Sequence, residues 1–153
     1  FCMGGMLTFV LAALRPDLVK VAVPFYGFPS GDDQPDYSRI SAVVRGHMAE
    51  QDDFFPPSCA VDLEARLRAA GVDAELTVHE GTGHAFMAPH DALGTQRADL
   101  AAEIWPQVHD LIRSTIGLSI DRIKFPIFSS LSEENRFFLP SSSLNPVSMT
   151  PAF

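Results

Sequence analysis

Phe1-Cys2-Met3-Gly4-Gly5 heads an apolar run that continues to Leu14. A cysteine followed at once by small residues and a helix-forming segment has the makings of a nucleophile elbow. In that turn a strand passes sharply into a helix, the nucleophile sits in a strained conformation, and glycines let the helix pack close. The usual pattern is G-x-S-x-G. Here Cys2 stands where the serine would be, Gly4 supplies the downstream glycine, and the upstream one would fall just before Phe1. The positive end of a helix favours a thiolate. The backbone N–H of Met3, the residue after Cys2, is the natural half of an oxyanion hole. A plainer reading is a small buried cysteine ahead of a helix, because free cysteines are often core residues.

Outward from this stretch, helices and strands alternate. Residues 4–14 form an expected helix that is apolar on nearly every side, which predicts burial all round. Val19 to Tyr26 is β-branched and aromatic and reads as a buried strand ending at Gly27. Residues 28–38, rich in Pro, Gly, Asp and Ser, read as a loop. A second strand is expected over Ile40–Met48. After Pro56-Pro57-Ser58 a helix runs to about Ala70, with Ala60, Leu63, Leu67 and Ala70 on one face and Gly71 as its stop. Ala74 to His79 alternates as a third strand, and a loop follows from Gly81 to Gly94. A last helix spans about Gln96 to Ile116 with Leu100, Ile104, Val108, Leu111 and Thr115 as its stripe, and Pro106 is expected to kink or split it. This order predicts an α/β fold, a parallel sheet flanked by helices. Residues 118–153 lack either period and read as an irregular or disordered tail.

Of the 153 residues, 46% are hydrophobic and 20% charged, the balance of a folded domain. The net charge of -8 repels phosphates and anionic lipid, so neither nucleic acid nor a membrane is an expected partner. Cys2 and Cys59 do not make a disulfide framework. A reducing, cytoplasmic setting is the simpler expectation.

Two further segments carry chemistry. Gln51-Asp52-Asp53-Phe54-Phe55 follows the second strand, where an acid could orient an imidazole and stabilise its charged form; the residues alone leave Asp52 and Asp53 both open. Gly83-His84-Ala85-Phe86 follows the third strand, and an imidazole there can take and return a proton near neutral pH. His79, His84 and His90 lack the spacing of a zinc motif, so no metal site is expected. His79 reads as a strand residue, and His90 and His109 as surface residues. The order nucleophile, acid, histidine is that of α/β-hydrolases.

With Pro24-Phe25-Tyr26-Gly27 and Gly46-His47-Met48 added, residues 1 to about 117 resemble the dienelactone hydrolase family. The resemblance implies a partial α/β-hydrolase domain over 1–117. Its activity would be hydrolysis of a lactone or carboxylic ester through a cysteine nucleophile, with no metal or organic cofactor. The family pattern selects Asp52 over Asp53, giving Cys2, Asp52 and His84 as the triad. Tyr26 and Phe86, with Phe28, would wall a small-molecule substrate. The best-known members hold a substrate carboxylate with an arginine shortly after the histidine; here Phe86-Met87-Ala88-Pro89 carries no basic residue. The chain matches only the family's C-terminal half, so the first strands and the second oxyanion donor are expected to be missing. Helix 4–14 would lose much of its cover, and weak or no activity of the chain alone and self-association through an exposed sheet edge are the corresponding expectations. The alternatives are a non-catalytic binding protein of the same fold and a truncated gene product.

Overall fold

The computed structural model describes residues 1–31 and 34–117; the tail expected over 118–153 lies outside the described residues. The elements are α1 (Met3–Leu14), β1 (Val21–Ala22), a 3-10 turn (Tyr37–Arg39), β2 (Val43–Gln51), α2 (Pro57–Ala69), β3 (Ala74–Gly83) and α3 (Ala98–Ile116). The strands form a parallel sheet in the order β1-β2-β3. Among the described residues no helix is long and apolar enough to cross a membrane.

Alternation along the strands sorts two cores. Val44 and Met48 of β2 and Leu76 of β3 pack with Phe9 and Ala12 of α1 and with Ala60, Leu63 and Leu67 of α2. On the opposite face Ala49 joins Phe25, Tyr26, Phe86 and Met87 beneath Ile104 and Val108 of α3. β2 is covered on both faces, whereas β3 alternates, burying Ala74 and Leu76 and exposing Glu75 and Thr77.

The boundaries differ from the sequence expectations for local reasons. The first strand pairs only at Val21 and Ala22. Pro24 has no N–H to give, and pairing resumes as a bridge between Phe25 and His47. The second strand starts at Val43 rather than Ile40 and runs on to Gln51. Ile40 and Ala42 are nonetheless core residues, while the Ser41 hydroxyl turns away to the Pro16 carbonyl at 2.8 Å. The third strand continues to Gly83, into the stretch expected as a loop. α3 begins at Ala98, passes Pro106 unbroken, and buries only Ile104 and Val108 of its expected stripe.

α1 shows the loss of cover expected of it. Gly5, Phe9, Ala12 and Ala13 are buried, but Met3, Leu7, Leu11 and Leu14 are 65%, 50%, 54% and 59% exposed. The helix is apolar on nearly every side, yet within the described residues it is covered on one side only.

Candidate active site

The turn into α1 has the expected strain. Cys2 has φ 52° and ψ -125° at the N-cap of α1, a conformation that L-residues avoid. It is held by its own N–H, which donates to the Phe25 carbonyl at 2.9 Å, and by its carbonyl, which accepts from Gly5 N–H at 2.8 Å. The helix lies so close to the turn after β1 that a Cβ on Gly27 would meet the Cys2 carbonyl oxygen at 1.8 Å, and one on Gly5 would sit 2.7 Å from the Gly27 oxygen. A Cβ on Gly4 would meet no atom within 4 Å, so the close contact falls one residue later than the G-x-S-x-G reading put it. The Cys2 residue is exposed. Met3 opens the helix, where N–H groups have no intrahelical acceptor.

The acid and the histidine come together across two strand ends. β2 and β3 pair in register up to Ala49 and His79, and the next pair is Gln51 with Gly83, so β3 carries a bulge. Gly81, at φ 67°, absorbs it. The Glu50 carboxylate accepts the Gly81 N–H at 2.9 Å, and the Thr82 hydroxyl donates to the His79 carbonyl at 2.6 Å. The bulge sets Gly83 beside Gln51, so the residues that follow, His84 and Asp52, face each other. His84 Nδ1 lies 2.7 Å from Asp52 Oδ2. Asp52 is 5% exposed, whereas Asp53 is exposed to solvent. The other Asp52 oxygen accepts the N–H groups of Phe54 at 2.9 Å and Phe55 at 3.1 Å. With Nδ1 engaged by the carboxylate, Nε2 is the nitrogen left for chemistry.

Aromatic rings enclose the imidazole. Tyr26 and Phe54 meet the His84 ring edge-on, each at 5.2 Å between centroids, and Phe55 lies nearly parallel at 5.9 Å. Tyr26 is 4% exposed and Phe86 fully buried, so in the described residues both support the site from beneath. Phe28 is also buried, against Phe55 and the opposite core. Burial pushes the Tyr26 phenol up to about 12, and the charge of nearby Cys2 adds to the rise. Tyr26 touches the His84 ring directly, and its neighbour Phe25 accepts the Cys2 N–H. Among the described residues no hydrogen bond joins the Cys2 thiol to the His84 ring.

Phe54 and Phe55 are additions to the residues singled out from the sequence. Phe54 is 75% exposed yet fixed by Asp52 and packed on His84. A doublet of phenylalanines directly after the acid was the available signal. A second signal is backbone strain. The non-glycine residues with positive φ among those described are Cys2, Tyr26 and Ala85, and all three adjoin this site, as strained residues at functional sites tend to do. His79 lies on β3, and His90 and His109 are exposed. No group of three or more His, Cys, Asp or Glu side chains converges as a metal cage among the described residues.

A parallel sheet with a strained turn before its first helix, and an acid and a histidine at successive strand ends, has the α/β-hydrolase architecture. The chain belongs to the dienelactone hydrolase family, whose model matches residues 1–116. Protein usf of Aquifex pyrophilus is 34% identical over 87 residues, covering 57% of this chain and 37% of that protein. A candidate carboxymethylenebutenolidase of Escherichia coli K12 is 34% identical over 98 residues, covering 59% of this chain and 36% of that protein. A solved structure of a candidate dienelactone hydrolase from Klebsiella pneumoniae superposes with a TM-score of 0.62 at 29% identity, covering 71% of this chain and 47% of that one. The chain therefore spans between 36% and 47% of the length of these relatives.

Proposed function

We propose that the chain carries the nucleophile, base and acid of a cysteine-dependent hydrolase of carboxylic esters or lactones. The observation that carries this reading is the Asp52–His84 pair at 2.7 Å, built at two adjoining strand ends beside a strained Cys2. Family membership supports a hydrolase; the cysteine mechanism is our reading of the site.

His84 Nε2 takes the Cys2 proton and the thiolate attacks the ester carbonyl. The carbonyl π electrons move to oxygen, and the Met3 N–H donates to that oxyanion. The C–O bond breaks as His84 returns its proton to the departing oxygen, leaving a thioester on Cys2. His84 then takes a proton from water, the hydroxide attacks the thioester, and the carboxylic acid leaves as Cys2 regains its proton. Asp52 holds the Nδ1–H tautomer and stabilises the imidazolium at each stage.

The surroundings favour an uncharged substrate. Residues 85–89 carry no basic side chain, and the exposed group fixed against His84 is the ring of Phe54. The E. coli relative's name points to a carboxymethylenebutenolide; this chain suits a neutral ester better. Two associated readings follow. The uncovered face of α1 and the free edge of β1 favour self-association, and a free thiol nucleophile suits the reducing cytoplasm. The test is hydrolysis of p-nitrophenyl butyrate against a p-nitrophenyl monoester of succinate. Preference for the butyrate, lost on Cys2→Ala, is the expected result. Turnover unchanged by Cys2→Ala would favour a non-catalytic protein of this fold.

A further inference from the structure

A column of stacked rings runs beneath the elbow on the α3 face of the sheet. Phe1 stacks on Phe25 at 4.6 Å between centroids and 15°, Phe25 on His47 at 4.9 Å and 24°, and His47 on His79 at 5.2 Å and 26°. Trp105 of α3 flanks Phe1 and Phe25. The two imidazoles are also bonded to each other, with His47 Nδ1 lying 3.0 Å from His79 Nε2. Neither histidine is needed by the reaction above.

The column is tied to the elbow through the backbone. Tyr26 N–H donates to the His47 carbonyl at 2.8 Å, and His47 N–H donates to the Pro24 carbonyl at 2.9 Å. The Phe25 carbonyl between them accepts the Cys2 N–H at 2.9 Å. A shift of His47 therefore reaches Phe25 and, one hydrogen bond further, Cys2.

We propose that His47 and His79 are positioning residues for the elbow: sharing one proton between facing nitrogens, they hold Phe25 under Cys2, and a second proton releases it. Two ring nitrogens at this distance need one N–H between them. If both facing nitrogens carry a proton, two donors oppose each other and the added positive charge sits in a place with little water, since His47 is 8% exposed. The charged group acting on the pair from the helix above is Glu103 of α3, which favours a proton on His79. The neighbours from β1 and from the segment after β3 are Phe25 and Phe86, which offer rings and no countercharge. Burial and the neighbouring His79 push His47 down to about 4, in keeping with a pair that resists its second proton. The inference concerns where Cys2 is held, and it stands whether or not the chain turns over an ester.

The test is a heteronuclear NMR pH titration of the chain, following the His47 ring together with the Cys2 and Tyr26 backbone amides. All three are expected to move with one midpoint well below that of an ordinary histidine. In His79→Gln the side-chain amide oxygen can accept from a protonated His47, so the common midpoint should rise by about a pH unit or more. In His47→Phe the stack survives without a titrating group, and the movement at Cys2 should vanish. Cys2 and Tyr26 amides that stay still through the His47 midpoint, or a midpoint unmoved by His79→Gln, would overturn the proposal. The second outcome decides the matter even if His47→Phe does not fold.

Discussion

The strand ends and the first helix are built on opposite terms. At the ends of β2 and β3 polar groups are tied to partners inside the chain: Asp52 serves His84, Phe54 and Phe55, and Glu50 and Thr82 stitch the bulge that aligns them. α1 buries Phe9 and Ala12 on one side and leaves Leu7, Leu11 and Leu14 to solvent on the other. The Asp52–His84 pair is self-contained within the described residues, whereas Cys2, the proposed nucleophile, rides on an element whose outer face has no cover within the described residues. Position of the thiol, more than presence of the base, is thus where performance is most exposed to loss.

That contrast can be broken at several points, with the largest effects at the chemistry itself. Cys2→Ala should lower ester turnover by about three orders of magnitude or more, read as initial rates on p-nitrophenyl butyrate. Asp52→Asn separates two duties of one side chain. Its carbonyl oxygen can still accept from Phe54 and Phe55, so the melting temperature should hardly move, while kcat falls by about 10³–10⁴-fold through loss of the imidazolium's partner. Asp52→Ala should lose stability as well.

Gly27→Ala strikes the helix side. A methyl group aimed at the Cys2 carbonyl forces α1 away from the turn, at a cost of about 3 kcal/mol in chemical denaturation. Acid acts more gently. An unfolded histidine titrates near pH 6.5, whereas the fold pushes His47 down to about 4. Between those values the unfolded chain takes a proton that the folded chain refuses, so stability falls as pH drops from about 6.5 to about 4 and levels off below. Denaturant midpoints across that window should record a loss on the order of 2 kcal/mol that His47→Phe removes. The smallest change in stability is expected on the uncovered face: Leu7→Lys with Leu11→Glu should shift stability by about 0.5 kcal/mol or less while reducing any self-association seen by sedimentation velocity.

How much of this was legible in the sequence depends on the range of the interaction. The alternation of Ala74, Leu76 and Val78, the stripe of Ala60, Leu63 and Leu67 and the stop at Gly71 are local patterns, and the elements they imply are present. Boundaries failed where a glycine or proline had a second use. Gly81 reads as a loop signal but serves a bulge inside β3, and Pro106 reads as a break but sits within a continuous helix. Periodicity reports what a helix could bury and not what stands beside it, so the bare outer face of α1 was legible from the family resemblance and not from the helix's own pattern. At the site, Cys2 and His84 stand out by type and order, whereas choosing Asp52 over Asp53 needed the family pattern. The pairing of His47 with His79 does not, because it joins residues 32 positions apart through register alone.

The most direct measurement is mass spectrometry of the chain quenched during hydrolysis of p-nitrophenyl butyrate. A butyryl group on the peptide that carries Cys2, labile to hydroxylamine as a thioester is, is the expected result. Acylation confined to Cys59 or to no residue, with turnover intact in Cys2→Ala, would contradict it.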